Sequence, residues 1–172
     1  YDTSIKEIAA FVEKVYLRRD FSGFKGDRRF VRDDQAQKAF SKLRSSIAGV
    51  YAWRISPQCP PEYRPKNNAD FQRMLREADF AFRQSFAFCP YSPEAVFRYV
   101  NLLCSLQRFD DALLIASTCQ KLDPFNGQVA GVVRDLGEIV KQHEQSPSTQ
   151  ASLAQLERAT REDPANLQAA FN

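Results

Sequence analysis

Only six glycines occur in the 172 residues, against 14 phenylalanines. With 44% apolar and 26% charged residues, that balance excludes a disordered chain. A single histidine, His143, and four cysteines (Cys59, Cys89, Cys104, Cys119) without a CxxC pair leave no zinc site of the usual spacing. Neither a metal nor a cofactor is called for. No apolar run approaches the roughly 18 residues that span a bilayer, and no signal-peptide pattern opens the chain. A P-loop, a dinucleotide fingerprint, GxSxG and HExxH are all missing, so no catalytic residue can be named and the chain reads as a non-enzyme. That absence covers known motifs alone, since carboxylates brought together by folding leave no trace in a sequence. Cys104 and Cys119 fall in apolar helical patterns, where free cysteine acts as a small buried hydrophobe, which suits a reducing, cytoplasmic setting.

The length fits a single domain over 1–172 with a real core. The net charge of +3 is unevenly spread: residues 1–50 hold 11 Lys/Arg against 7 Asp/Glu, and residues 127–172 hold 4 against 6. Within the basic end Arg18, Arg19, Lys25, Arg28, Arg29 and Arg32 are interleaved with Phe21, Phe24 and Phe30, a mixture that can grip phosphates and stack bases. The charges alternate in sign, as in Arg18-Arg19-Asp20 and Arg32-Asp33-Asp34, which favours a solvated, salt-bridged face over nucleic-acid binding.

Residues 3–18 place Ile5, Ile8, Phe11, Val12 and Val15 at helical spacing, with Thr3 or Ser4 as N-cap ahead of Glu7. Residues 20–34, with Gly23 and Gly26, read as a charged loop. From Gln35 to Arg54, Phe40, Leu43, Ile47, Val50 and Tyr51 recur every three or four residues and predict a second helix that stops before Pro57. Residues 56–68 carry four prolines and read as a surface insertion in which Asn67 makes no buried contact. Helical patterns then run over 71–88, 93–106, 109–122, 127–143 and 150–161, and no strand pattern interrupts them.

Pro90 and Pro124 lie 34 residues apart, and each follows a small residue 12 positions upstream, Ala78 and Ala112. The segment SPEAVFRYVNLLCSLQRFDDALLIASTCQKLDPFN, with Phe109, Asp110-Asp111-Ala112 and Leu122-Asp123-Pro124 in register, resembles a tetratricopeptide repeat along its length. It departs from that family in having Val96 for the usual Trp, Val100 for a small residue, Ala116 for a large aromatic and Cys119 for a small one. Residues 35–92 resemble a degenerate repeat interrupted by the insertion 56–68. Residues 127–172, with Leu156, Ala159 and Asp163-Pro164, resemble another. The fold this implies is all-α: a right-handed stack of antiparallel helical hairpins, two to three degenerate repeats behind an extra N-terminal helix and charged loop (1–34).

The same resemblance implies a protein or peptide partner bound on the concave face of the first helix of each hairpin, at Glu94, Phe97, Arg98, Asn101 and Ser105. Arg98 and Asn101 match positions at which relatives clamp a terminal carboxylate, while Phe97 stands where such a clamp has lysine. The run from DTSIKEIAAFVEKVYLRRDF through KAFSKLRSSIAGVYAWR is also similar to the soluble C-terminal part of multi-span bacterial proteins related to protein O-mannosyltransferases. That likeness implies an appendage of a longer bacterial protein, attached to a membrane-spanning part that does the catalysis. An opening at Tyr1 without Met fits such a piece. Gly23-Phe24-Lys25-Gly26 has the GxxG form of a KH-domain loop, but its helical flanks favour an ordinary turn. His143, near a helix end, suits the negative pole of that helix better than catalysis.

Overall fold

The computed structural model describes residues 1–145. Every regular element among them is helical, with no strand. Tyr1–Arg134 form one compact unit and Asp135–Asn172 a second, of which residues 135–145 are described. The expected C-terminal hairpin with Leu156, Ala159 and Asp163-Pro164 lies outside the described residues.

Helix α1 (Ile5–Val12) begins at Ser4 in a capping box. The Glu7 N–H donates to Ser4 Oγ (3.2 Å) while the Ser4 N–H donates to Glu7 Oε2 (2.7 Å), so two otherwise orphaned donors are satisfied. The helix continues through one π-helical turn, Glu13–Leu17, and ends where Arg19 takes a left-handed φ of 55°. Ile5, Ala9, Val12, Val15 and Tyr16 are buried, and this segment packs against both α3 (Asn68–Phe88) and α5 (Phe109–Leu122). The Tyr16 hydroxyl, 3.0 Å from the Ala87 and Phe88 carbonyls, ties its end to α3. In the following loop Gly23 has φ +72°, and a Cβ at Gly26 would sit 2.5 Å from the Phe24 ring. Gly23 thus answers to backbone shape and Gly26 to the nearness of the Phe24 ring. The GxxG here lies among helices, without the sheet a KH loop needs.

Helix α2 (Asp34–Ile55), capped by Asp33 through the Ala36 N–H (2.9 Å), packs along α3. The periodicity located this helix but not its buried face. Gln37, Ser41, Ser45 and Ala48 are buried, whereas Phe40, Leu43 and Val50 are 51%, 58% and 58% exposed. Small residues allow the two backbones to approach. The Ser41 hydroxyl donates to the Ser85 carbonyl (3.0 Å) and the Ser85 hydroxyl to the Ser41 carbonyl (2.9 Å).

The proline-rich insertion is an ordered loop with a 3₁₀ turn at Pro61–Tyr63. Arg64 holds it together by donating to the carbonyls of Cys59 and Pro57 (both 2.6 Å), and Cys59 is buried. Asn67 is not a passive loop residue. Its side-chain oxygen accepts from the Asp70 N–H (2.8 Å) and caps α3, which starts at Asn68 and not near Phe71. Asn67→Arg is therefore expected to remove a cap, at about 1 kcal/mol.

Helix α4 (Pro93–Ser105) and α5 are joined by Leu106-Gln107-Arg108 and pack on each other as a hairpin. The turn closes with Gln107 at φ 58° and the Arg108 N–H donating to the Leu103 carbonyl (2.9 Å), a Schellman-type end. Val96, Tyr99 and Leu103 from α4 meet Ala112, Ile115, Ala116 and Cys119 from α5 in the core, all with no exposed surface. Helix α4 also packs against α2 and α3. Helix α6 (Gly127–Glu144) carries Lys141 and His143 in its last turn, and the Lys141 cation there suits the negative end of the helix dipole.

Candidate functional site

A large opening in the fold follows from how α2 and α4 pack. Each is the first helix of a hairpin, and they touch each other less than they touch α3. Between them lies a cleft of about 1150 Å³. Its α2 wall is Ser46, Gly49, Val50 and Trp53, its α4 wall Arg98, Asn101, Leu102 and Ser105, and Phe71 and Phe82 come from α3. Phe82 is rigidly placed: 2% exposed, its ring stacks on Tyr99 at 5.5 Å and 17°.

Three of the five residues expected from sequence, Arg98, Asn101 and Ser105, line this cleft. All three are exposed. Glu94 and Phe97 are not part of the lining. Glu94 lies one turn nearer the helix start and pairs with Arg98 across that turn (3.1 Å), and Phe97 is half-buried and rotated about 100° from Arg98 around the helix. The Glu94–Arg98 pair is solvent-exposed and weak, so a ligand anion can compete for the guanidinium. The Ser105 hydroxyl donates to the Leu102 carbonyl (2.7 Å), which leaves its lone pairs to the cleft.

The α2 wall was not foreseen. Its visible signals were Trp53, the sole tryptophan, and Gly49, a glycine in mid-helix where alanine would be favoured by about 1 kcal/mol. A Cβ at Gly49 would lie 3.4 Å from Arg98 Nη1, close to an ordinary van der Waals contact, so the guanidinium reaches across the cleft to the α2 backbone. Trp53 is 45% exposed and tilts against Tyr63 at 5.9 Å, which links the proline-rich loop to the cleft rim.

Beneath the cleft, Asp79 gathers cations and a phenol. Arg83 (2.8 Å) and Arg108 (3.2 Å) pair with it, and the Tyr99 hydroxyl donates to it (2.9 Å). Burial first, and the Asp79 charge second, push the Tyr99 phenol well above its ordinary value of 10.0, so it stays a donor. Arg108 also holds Asp111 (2.7 Å) at the first turn of α5. This network locks α3 to the α4–α5 hairpin.

The remaining candidates are less open. All four cysteines are free. Burial pushes the Cys119 thiol up to about 12 and raises Cys89 and Cys104, which keeps them protonated and unreactive. Among the described residues no group of three or more His, Cys, Asp or Glu could hold a metal ion, and no helix is long and apolar enough to cross a membrane. In the basic N-terminal region the aromatic faces are engaged within the chain. Phe24 packs on Phe11 and Phe21, Phe30 on Phe40 and Phe88, Arg28 lies over Phe21, and Arg29 pairs with Asp27. No family model, curated protein or solved structure matches the chain.

Proposed function

We propose that this chain is a non-catalytic binding module of tetratricopeptide type, which takes an extended or helical segment of a protein partner in the cleft between α2 and α4. The observation that carries this reading is the cleft itself, flanked by the first helices of two successive hairpins and lined by an apolar strip with a few polar groups. Its rim mixes a tryptophan, an arginine and an amide, residue types that supply anchors and orientation in peptide recognition.

The repeat register supports it. Helices α3 and α5 end just before Pro90 and Pro124, and Ala78 and Ala112, 12 positions upstream of each, have no exposed surface. Small residues at these points let each second helix approach its first closely. In this reading α1 is the extra helix, seated on the second helices of both hairpins and opposite the cleft.

Panning a random peptide library displayed on phage against the wild-type chain, with counter-selection on Trp53→Ser/Arg98→Ala, tests the proposal. Both side chains are exposed, so the variant should fold. Peptides that bind the wild type at least tenfold more tightly than the variant are expected. Failure to enrich any peptide, or equal binding to both proteins, would refute the reading.

A further inference from the structure

The outward apolar stripe of α2 is a feature that the cleft uses only at Val50. Ala36, Phe40, Leu43, Ile47, Val50 and Arg54 follow a strict four-three-four-three-four spacing, the seam of a two-helix coiled coil. Leu43 and Val50 are 58% exposed and Phe40 is 51% exposed, while the opposite face of the same helix buries Gln37, Ser41 and Ser45. A helix with its large apolar residues outside and serines inside is shaped for a neighbour on each face: α3 packs on the serine face with α4 beside it, and Phe40 meets the Phe30 and Phe88 rings, which leaves Leu43 and Val50 largely open. We infer that a second copy of this chain covers the stripe, pairing α2 with its own equivalent in antiparallel fashion.

The spacing is its own mirror image about Ser45. Antiparallel pairing sets Leu43 of one copy beside Ile47 of the second, Phe40 beside Val50, and Ala36 beside Arg54. Charge agrees with that direction. The α2 N-terminus carries Asp33 and Asp34 and its last turn carries Arg54, so antiparallel helices bring acid to base, and opposite ends of the two dipoles meet. Parallel pairing would set Asp33 against Asp33 and Arg54 against Arg54. Half-exposed side chains of this size each offer roughly 100 Å². Counted over both copies, with the flanking Ala39 and the Arg54 stem, the seam can bury up to about 1000 Å², the lower bound of a biological interface and the range of a weak, concentration-dependent dimer. The stripe and the cleft meet only at Val50, so the pairing stands or falls independently of the proposed peptide site.

Sedimentation equilibrium of the full chain over about 1–200 µM tests the pairing, because dimerisation is visible as mass action. The wild type should pass from monomer to dimer within that range. Leu43→Glu, at a position with no buried contact to lose, should raise the dissociation constant roughly a hundredfold, and Leu43→Ala about tenfold. Far-UV circular dichroism of all three should coincide, and Leu43→Ala decides the matter should the charge disturb the helix. Trp53→Ser should lose cleft ligands and dimerise as the wild type does, which separates failure of one site from failure of the other. A wild type that stays monomeric to 200 µM, and so leaves the stripe to a different partner, overturns the inference. So does a dimer whose strength Leu43→Glu and Leu43→Ala leave unchanged.

Discussion

Ser41 and Ser45 stand one turn apart on the buried face of α2, at 1% and 3% exposure, yet they should respond to alanine with opposite signs. The Ser41 hydroxyl donates to the Ser85 carbonyl (3.0 Å) and lies 3.0 Å from the Ser85 hydroxyl. The Ser45 hydroxyl is equally buried and has no partner. Ser41→Ala removes a satisfied bond worth about 1 kcal/mol and regains roughly 0.5 kcal/mol of helix propensity, a net loss of about 0.5 kcal/mol. Ser45→Ala releases a stranded hydroxyl, a gain of about 1 kcal/mol, and adds the same propensity term, for a net gain of about 1.5 kcal/mol. The two variants should thus differ by about 2 kcal/mol, which in a chain of this size separates their melting temperatures by roughly 4–8 °C. Urea melts, with calorimetry as a second probe, measure both terms. Loss of more than about 0.5 kcal/mol in Ser45→Ala would mean that the hydroxyl is satisfied, and would refute the packing described for the α2–α3 contact.

Ala112→Arg, which forces a long cation into a position with no exposed surface, should lose several kcal/mol (about 3 or more) in urea melts. Gln72→Arg on the exposed face of α3 should stay within about 0.5 kcal/mol. Wild-type behaviour in Ala112→Arg would dismiss the α4–α5 hairpin register, and with it the placing of Arg98 and Asn101. The acid limb of stability is also set. Glu7 is held below its ordinary 4.5 by the Ser4 N–H and hydroxyl, and Asp20, Asp27 and Asp34 below 3.8 by Ser22, Arg29 and Lys38 respectively. Carboxylates depressed in the folded state bind fewer protons than in the unfolded one, so their contribution is complete above about pH 5 and disappears as the pH falls through the folded values. Glu7→Gln, which removes the titrating group, should flatten that limb in melts between pH 6 and about pH 2.5; an unchanged slope would count against the capping box.

Much of the helical order was legible because its signals are local. The Ser4–Glu7 cap and the breaks at Pro57, Pro90 and Pro124 all act within a few turns of chain. Such signals locate elements. They do not say which face of an element finds a neighbour. The stripe of Phe40, Leu43, Ile47 and Val50 marked a helix correctly, but the contact with α3 went to Ser41, Ser45 and Ala48, because small side chains allow a close approach that large ones prevent. Arg98, Asn101 and Ser105 could be placed on one helix face from spacing alone. Their companions Gly49 and Trp53 could not, since these lie about 50 residues earlier and only the packing of α2 beside α4 brings them together. Asn67 shows the reverse: its cap on α3 is local, but the prolines around it masked the signal. Among the described residues the sequence by itself determined where this protein is helical, while the tertiary structure alone decided what those helices bury and what they leave open.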